Sequence, residues 1–226
     1  MKNILIIGNS SIISKSIISL ANKKKINIYS SFFSKKNDAR KNSFYLDLTN
    51  ENTIDEFYNK IKKVKFDTVI ILSATQARKN IAQYNKTEIY KVLKTNVIGI
   101  TLLINKIINS FKKKSTLVII SSSSFLNGGY DVVYSISKSV LSTLSRSLSK
   151  HFGHKFKTIT LLPGLINGSN QVKLMKKNRV SYHKKNTPVK KLLKAEDVAK
   201  IIFDLNNDHW LSANGSEIRL DGGYRG

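Results

Sequence analysis

The chain has 226 residues, and its 39 Lys and Arg against 14 Asp and Glu give a formal net charge of +25; that length holds one α/β domain with a full core and not two. The charge does not point to specific nucleic-acid binding, because only six residues (Arg40, Arg78, Arg146, Arg179, Arg219, Arg225) carry the guanidinium that forks onto phosphates and bases, and the lysines are spread along a chain rich in Asn and Ile, as AT-rich coding produces. The lack of cysteine excludes disulfides and thiolate metal sites, and the scattered His151, His154, His183 and His209 form no zinc pattern.

Strands and helices alternate from the first residues. Asn3 to Ile7 is an apolar run that predicts a buried strand ending at Gly8; Ser14 to Lys24 follows as a helix and Ile26 to Ser31 as a second strand. After a polar loop of Lys, Asn and Ser come a third strand, Phe44 to Asp47, and an amphipathic helix around Asn52 to Lys63. A strand from Thr68 to Leu72 and a long helix from about Thr87 to Phe111 are next. The strand Leu117 to Ser121 precedes a helix that carries Tyr134 and stops near Gly153. Thr158 to Leu162 is a strand running into Pro163-Gly164, and the last elements are a helix, Ala195 to Asp204, and a strand, Glu217 to Leu220. This order predicts a single-domain, Rossmann-type, doubly wound parallel β-sheet flanked by helices over residues 1–226. Nowhere do 18 apolar residues run together, so no signal peptide or membrane span is expected, and the expected location is cytoplasmic.

Tyr134 and Lys138 lie four residues apart in a segment whose Ile136, Val140, Leu141, Leu144 and Leu148 recur at helical spacing, so both project from one helix face. An ammonium beside a phenol favours the phenolate and draws its pKa from near 10 toward neutrality, which suits a general acid or base. A Tyr and a Lys at this spacing are common on solvated helix faces; the surrounding motifs give the pair weight. Ser121-Ser122 closes a strand, and Tyr134-xxx-Lys138, Pro163-Gly164, Glu196-Asp197-Val198-Ala199 and Leu220-Asp221-Gly222-Gly223 follow. Asp47-Leu48-Thr49, Asp67, Leu72-Ser73-Ala74 and Asn96 precede them. In that order they resemble the short-chain dehydrogenase/reductase family over nearly the whole chain.

The resemblance implies an NAD(P)(H)-dependent oxidoreductase that moves a hydride between a nicotinamide cofactor and a carbonyl or alcohol. Tyr134 would protonate the carbonyl oxygen, Lys138 would lower the Tyr134 pKa and hold the nicotinamide ribose, and a serine hydroxyl would hydrogen-bond the substrate oxygen. Alignment on the strand selects Ser122 for that serine, whereas the family's usual spacing back from the tyrosine selects Ser121. Asn96 stands in the apolar stripe of Ile89, Leu93, Val97, Ile100 and Ile104, where an unpartnered amide costs about 1 to 3 kcal/mol; the resemblance gives it a backbone distortion that holds a proton-relay water near Lys138. By the same resemblance the cofactor is held by Gly8, Asn9, Ser10, Ser11 and Ile13 at the phosphate loop and by Ser31 and Lys35 after the second strand. Asp47 and Leu48 would line the adenine pocket, Ser73 and Ala74 would pass under the ribose, and Pro163, Gly164 and Ile166 would lie beyond the sixth strand, beside Tyr134 and Lys138.

The phosphate loop departs from the family pattern. Of its three glycines only Gly8 is present; Ile12 and Ser14 stand where glycine lets backbone approach the pyrophosphate and lets helix and strand pack closely. Gly8 to Ser11 still offer a turn, hydroxyls and N–H groups at a helix N-terminus. No Asp or Glu follows the second strand to hold a ribose 2′-hydroxyl, and Lys35 and Lys36 suit a 2′-phosphate, so NADP(H) is expected over NAD(H). Residues 165–190 are expected to cover the substrate, with Lys173, Lys176, Lys177, Arg179, His183, Lys184 and Lys185 around Val172, Leu174 and Met175. Such a lid suits an acidic substrate: a carboxylate, a phosphorylated sugar, a nucleotide sugar or an acyl group on an acidic carrier protein. By the resemblance, the threonine that usually touches the cofactor's carboxamide is replaced near Gly168, and Ser169 next to it would stand in. The expected partners are a small-molecule substrate and further copies of the chain, as a dimer or tetramer paired through the helices carrying Asn96 and Tyr134, and no metal is expected. A catalytically silent scaffold or nucleotide-sensing subunit is the alternative that the altered loop raises.

Overall fold

The computed structural model describes residues 1–34 and 41–224. Seven strands, β1 (Asn3–Ile7), β2 (Asn27–Phe32), β3 (Ser43–Tyr45), β4 (Phe66–Ile71), β5 (Phe111–Ile120), β6 (Phe156–Pro163) and β7 (Glu217–Leu220), form one parallel sheet in the order β3-β2-β1-β4-β5-β6-β7. The helices are α1 (Ile12–Lys23), α2 (Glu51–Ile61), α3 (Lys86–Leu93), α4 (Gly99–Ile107), α5 (Ser124–Asn127), α6 (Val132–Phe152), α7 (Asn170–Lys173), α8 (Lys177–Asn186) and α9 (Ala195–Asp204).

The central strands β1 and β4 and the second halves of β5 and β6 are nearly continuous apolar runs because helices cover both faces of the sheet. Alternation along each strand sorts its side chains into two layers. Leu5, Ile7, Val69, Ile71, Leu117 and Ile119 pack with Phe57, Ile100, Leu103 and Leu141 on one side. Ile4, Ile6, Ile70, Val118 and Ile120 pack with Ile13, Ile17, Val198 and Ile202 on the other. The strand order reverses between β1 and β4, which opens a crevice beyond their carboxyl ends, the place where such sheets bind ligands.

Most element limits shift by one or two residues from their sequence expectation, and three of the differences have a visible cause. Helix α1 starts two residues early because the Ser11 hydroxyl accepts the Ser14 N–H at 3.0 Å and caps it. The long helix is not uniform: a π turn, Lys94–Ile98, separates α3 from α4, and a 3₁₀ turn, Ile108–Ser110, ends it. Strand β5 starts at Phe111, which pairs with Phe66; the intervening residues bulge out before Thr116 pairs with Thr68, and Lys112 reaches Asp67 at 2.8 Å. By length and composition the stretch Lys86–Ser110 could cross a membrane. Here its Ile100, Leu103, Ile104 and Ile107 are buried against the sheet, as in the core helix of a globular domain.

Candidate active site

Helix α6 begins where Asp131 caps it: the carboxylate accepts the Tyr134 N–H at 3.0 Å. That start sets Tyr134 in the first turn and Lys138 one turn on, facing the end of β5. Lys138 is 2 % exposed; its Nζ donates to the Ile120 carbonyl at 2.9 Å and lies 5.6 Å from the Tyr134 ring centre. The Tyr134 ring is half-buried, yet its hydroxyl lies within the protein and is hydrogen-bonded to Ser122. Burial pushes the phenol up to about 12, the Ser122 hydrogen bond draws it back, and the Asp131 charge adds to the rise. Burial also brings the Lys138 amine down to about 7. The expectation that an ammonium lowers the phenol is therefore corrected: desolvation disfavours charge on both groups, and the amine is turned to a backbone carbonyl rather than to the phenolic oxygen.

Of the two candidate serines, the structure brings Ser122 to the phenol. Ser122 Oγ also accepts the Ser124 N–H at 3.1 Å. Ser121 is buried and turned away, donating to the Lys138 carbonyl at 2.8 Å, so it ties the end of β5 to α6.

Asn96 sits fully buried inside the π turn. Its amide nitrogen donates to the Thr75 carbonyl at 2.8 Å and to Ser137 Oγ at 2.9 Å, while its oxygen accepts the Thr75 N–H at 2.8 Å. Ser137 in turn donates to the Tyr134 carbonyl at 2.7 Å. The extra residue of a π turn thus aims one amide at both the loop after β4 and the Tyr134 helix. Gly99 closes the turn because a Cβ there would stand 2.0 Å from the Leu48 carbonyl oxygen.

At the phosphate loop, Gly8 has φ +95° and a Cβ would stand 2.5 Å from Ser73 Oγ, so only glycine makes this turn. The Gly8 N–H donates to Ser31 Oγ at 2.9 Å, and the buried Asn9 amide reaches Ser30 and Ser43. Ser10 is exposed, and Ser11 is the cap of α1. Ser14 is accommodated: fully buried, its hydroxyl donates back to the Asn9 and Ser11 carbonyls. Ile12 is not neutral. Its Cδ1 stands 3.2 Å from where a Cβ on Gly168 would be, so the side chain bridges from the phosphate loop to the loop after β6.

Ser73 donates its N–H to the Ile7 carbonyl, and Asp47 accepts the Thr49 N–H and hydroxyl. Leu48 is buried, Gly164 donates to the Leu220 carbonyl, and Ile166 bridges to Leu193. Lys35 and Lys36 lie outside the described residues.

A cavity of about 950 Å³ joins Ser121, Ser122, Tyr134 and Lys138 to Ile13, Ala74, Pro163, Gly164 and Ile166. Leu174, Met175, Lys176, Arg179, Tyr182 and His183 border it from the segment after β6, together with Ser169; Lys173, Lys177, Lys184 and Lys185 do not. Gly8, Asn9, Ser10, Ser11, Ser31, Asp47, Leu48 and Ser73 do not line it either. The Gly8 turn and the α1 N-terminus, with this cavity beyond them, fit a nicotinamide dinucleotide. Sequence reasoning missed Asp131, Ser137 and Arg78; for Asp131 the signal was an acidic residue directly before an apolar helical run.

A family model described as Enoyl-(Acyl carrier protein) reductase matches residues 21–225. A 3-oxoacyl-[acyl-carrier-protein] reductase FabG of Buchnera aphidicola subsp. Acyrthosiphon pisum is 30% identical over 189 residues, covering 80% of this chain and 76% of that protein. A short chain dehydrogenase family protein from Francisella tularensis superposes with a TM-score of 0.87 at 22% identity, covering 99% of this chain and 98% of the other. BdcA in complex with NADPH does so with a TM-score of 0.87 at 18% identity, covering 99% and 94%. The two structural likenesses establish the fold.

Proposed function

We propose, from the premise that this chain belongs to the short-chain dehydrogenase/reductase family, that it is a cytosolic NADPH-dependent reductase of a 3-oxoacyl group carried on a thioester handle. The observation that carries this reading is the hydrogen bond between Ser122 and Tyr134 at the floor of the cavity, with Lys138 buried behind it. The relatives' names supply the acyl class, and Lys176, Arg179 and Lys191 on the cavity wall favour an acidic substrate over a neutral one. Residues 165–190 are its cover.

Bound NADPH supplies the hydride; the chain's own residues do the rest. Ser122 Oγ donates to the carbonyl oxygen and orients it. Tyr134 Oη gives that oxygen its proton as it becomes an alcohol. With its pKa near 12 the phenol is fully protonated at neutral pH, the form the reductive direction needs. Lys138 and the Asn96 turn form the route by which the proton is replaced. Gly8, the α1 N-terminus and Ser11 would hold the phosphates. The test is a fluorescence titration with NADPH and NADH, followed by NADPH consumption with acetoacetyl-coenzyme A. Saturable micromolar NADPH binding and carbonyl-dependent consumption are expected; no binding up to millimolar concentration would sink the reading.

Ile12 favours a second reading, the catalytically silent subunit, and one variant separates the two. Ile12→Gly removes the bridge to Gly168, so NADPH affinity is expected to rise about tenfold, the effect of roughly 1.4 kcal/mol. If neither the wild-type chain nor this variant binds a nucleotide, the silent reading prevails.

The oligomeric proposal rests on apolar side chains left exposed on the two helical segments that flank Asn96 and Tyr134. They are Tyr90 and Ile98 on one, and Ile136 and Val140 on the other. A dimer or tetramer is expected by light scattering, and Ile136→Asp is expected to shift it to monomer.

A further inference from the structure

Proton transfer leaves part of the cavity unused. Arg78, in the loop between β4 and α3, has φ +61°, a left-handed backbone that costs a non-glycine residue energy. The loop is held in place: Asn96 grips Thr75 by both its N–H and its carbonyl, and the Arg78 N–H donates to Asp131 Oδ2 at 2.7 Å. Asp131 is 8 % exposed. Its other oxygen caps Tyr134 and accepts the Tyr84 hydroxyl, a phenol that burial and this carboxylate hold well above the usual range. A buried carboxylate is costly unless every lone pair is used, and here each oxygen joins a different segment to the start of α6.

The Arg78 side chain borders the cavity, and its guanidinium has no carboxylate partner among the described residues. Both carboxylates that line the cavity are engaged elsewhere: Asp131 as described, and Asp221 with Arg219. Of the neighbouring cations, Arg179 is drawn over the Tyr130 ring, 5.8 Å from its centre. Arg78 is thus an exposed planar fork on a fixed backbone, with no ion pair among the described residues, on the wall of the cavity that holds Tyr134.

We infer that Arg78 is a specificity-determining residue that receives an oxyanion of the substrate, a carboxylate or a phosphate, and that Asp131 is the positioning residue that keeps its strained backbone in register with Tyr134. The inference rests on reading this cavity as the reductase site. A guanidinium suits the role because it meets either oxyanion with two parallel hydrogen bonds, and a loop fixed in advance loses little entropy on binding.

Arg78→Gly tests it, since glycine adopts the left-handed backbone without strain while the whole side chain, guanidinium included, is removed. Calorimetric titration with acetoacetate, with coenzyme A and with the uncharged acetoacetyl-N-acetylcysteamine reads binding without turnover. Arg78→Gly is expected to weaken one anion by about tenfold or more, leaving the neutral thioester within about twofold. Loss confined to acetoacetate assigns a carboxylate, and loss confined to coenzyme A assigns a phosphate. Asp131→Asn is expected to weaken the same anion and to add nothing in the Arg78→Gly background, a coupling that a merely structural cap would not show. Unchanged anion binding in Arg78→Gly, or additive losses in the double variant, would overturn the inference. Arg78-dependent anion binding without reduction of any carbonyl would instead overturn the reductase reading and leave the anion site standing.

Discussion

Tyr134→Phe is expected to lower turnover by about a thousandfold while NADPH affinity stays within about twofold. The substitution removes one oxygen and keeps the ring in its half-buried seat. The lost oxygen meets Ser122, so the variant also frees the Ser122 hydroxyl, which keeps the Ser124 N–H as a partner. Among the described residues no hydrogen bond joins the phosphate loop to that oxygen, which is why binding and chemistry should separate. A positioned general acid is worth about 10² to 10⁴ in rate, and this one is unusually committed: held near 12, the phenol stays protonated across the whole neutral range. The same shift makes the reverse reaction harder, so the wild-type enzyme should favour reduction at neutral pH and gain in alcohol oxidation as the pH rises. Steady-state rates and nucleotide titrations on the same preparation decide it. Turnover within tenfold of wild type would remove Tyr134 from the chemistry.

The buried strand β1 was legible because its apolar run ends at sharp polar boundaries, and the partly buried edge strand β7 and helix α9 also have the limits that composition suggests. The start of β5 was not. Lys112 to Ser115 fell between the expected helix and the expected strand, and only the pairing of Phe111 with Phe66 reveals that the strand begins before the bulge. The i, i+4 spacing placed Tyr134 and Lys138 on one face, but their ionisation depends on burial and on the Ile120 carbonyl, which no local pattern encodes. The choice between Ser121 and Ser122 likewise needed the orientation of a strand end. Asn96 was conspicuous as an amide in an apolar stripe, and its three hydrogen bonds explain why it is tolerated there. The left-handed backbone of Arg78 had no local sign, since it is imposed by Asp131, far along the chain.

Lys138→Met is expected to stabilise the fold while disabling the site. A lysine whose pKa falls from 10.5 to about 7 on folding is paid for in stability: below pH 7 the folded chain must bury an ammonium, and the cost, on the order of 4 kcal/mol, is complete. Between pH 7 and 10.5 the unfolded chain still binds the proton and the folded chain does not, so stability rises with pH and the cost fades. Methionine has a similar shape and no charge to bury, though it leaves the Ile120 carbonyl without its donor, a loss of about 1 to 3 kcal/mol. The net gain at pH 6 is expected to be about 1 to 3 kcal/mol, or roughly 3 to 8 °C in Tm for a chain of this size, and by about pH 10, where the burial cost is nearly gone and the orphaned carbonyl remains, to have turned into a net loss. Thermal unfolding at the two pH values checks this, and turnover measured in parallel should fall by about a hundredfold or more. A residue that weakens its own fold at neutral pH, yet is held 2 % exposed against a backbone carbonyl one helical turn from Tyr134, has its reason in the chemistry of the cavity. If Lys138→Met proves less stable at pH 6 than at pH 10 relative to wild type, the amine is not the strained group described here and its place in the proton route falls with it.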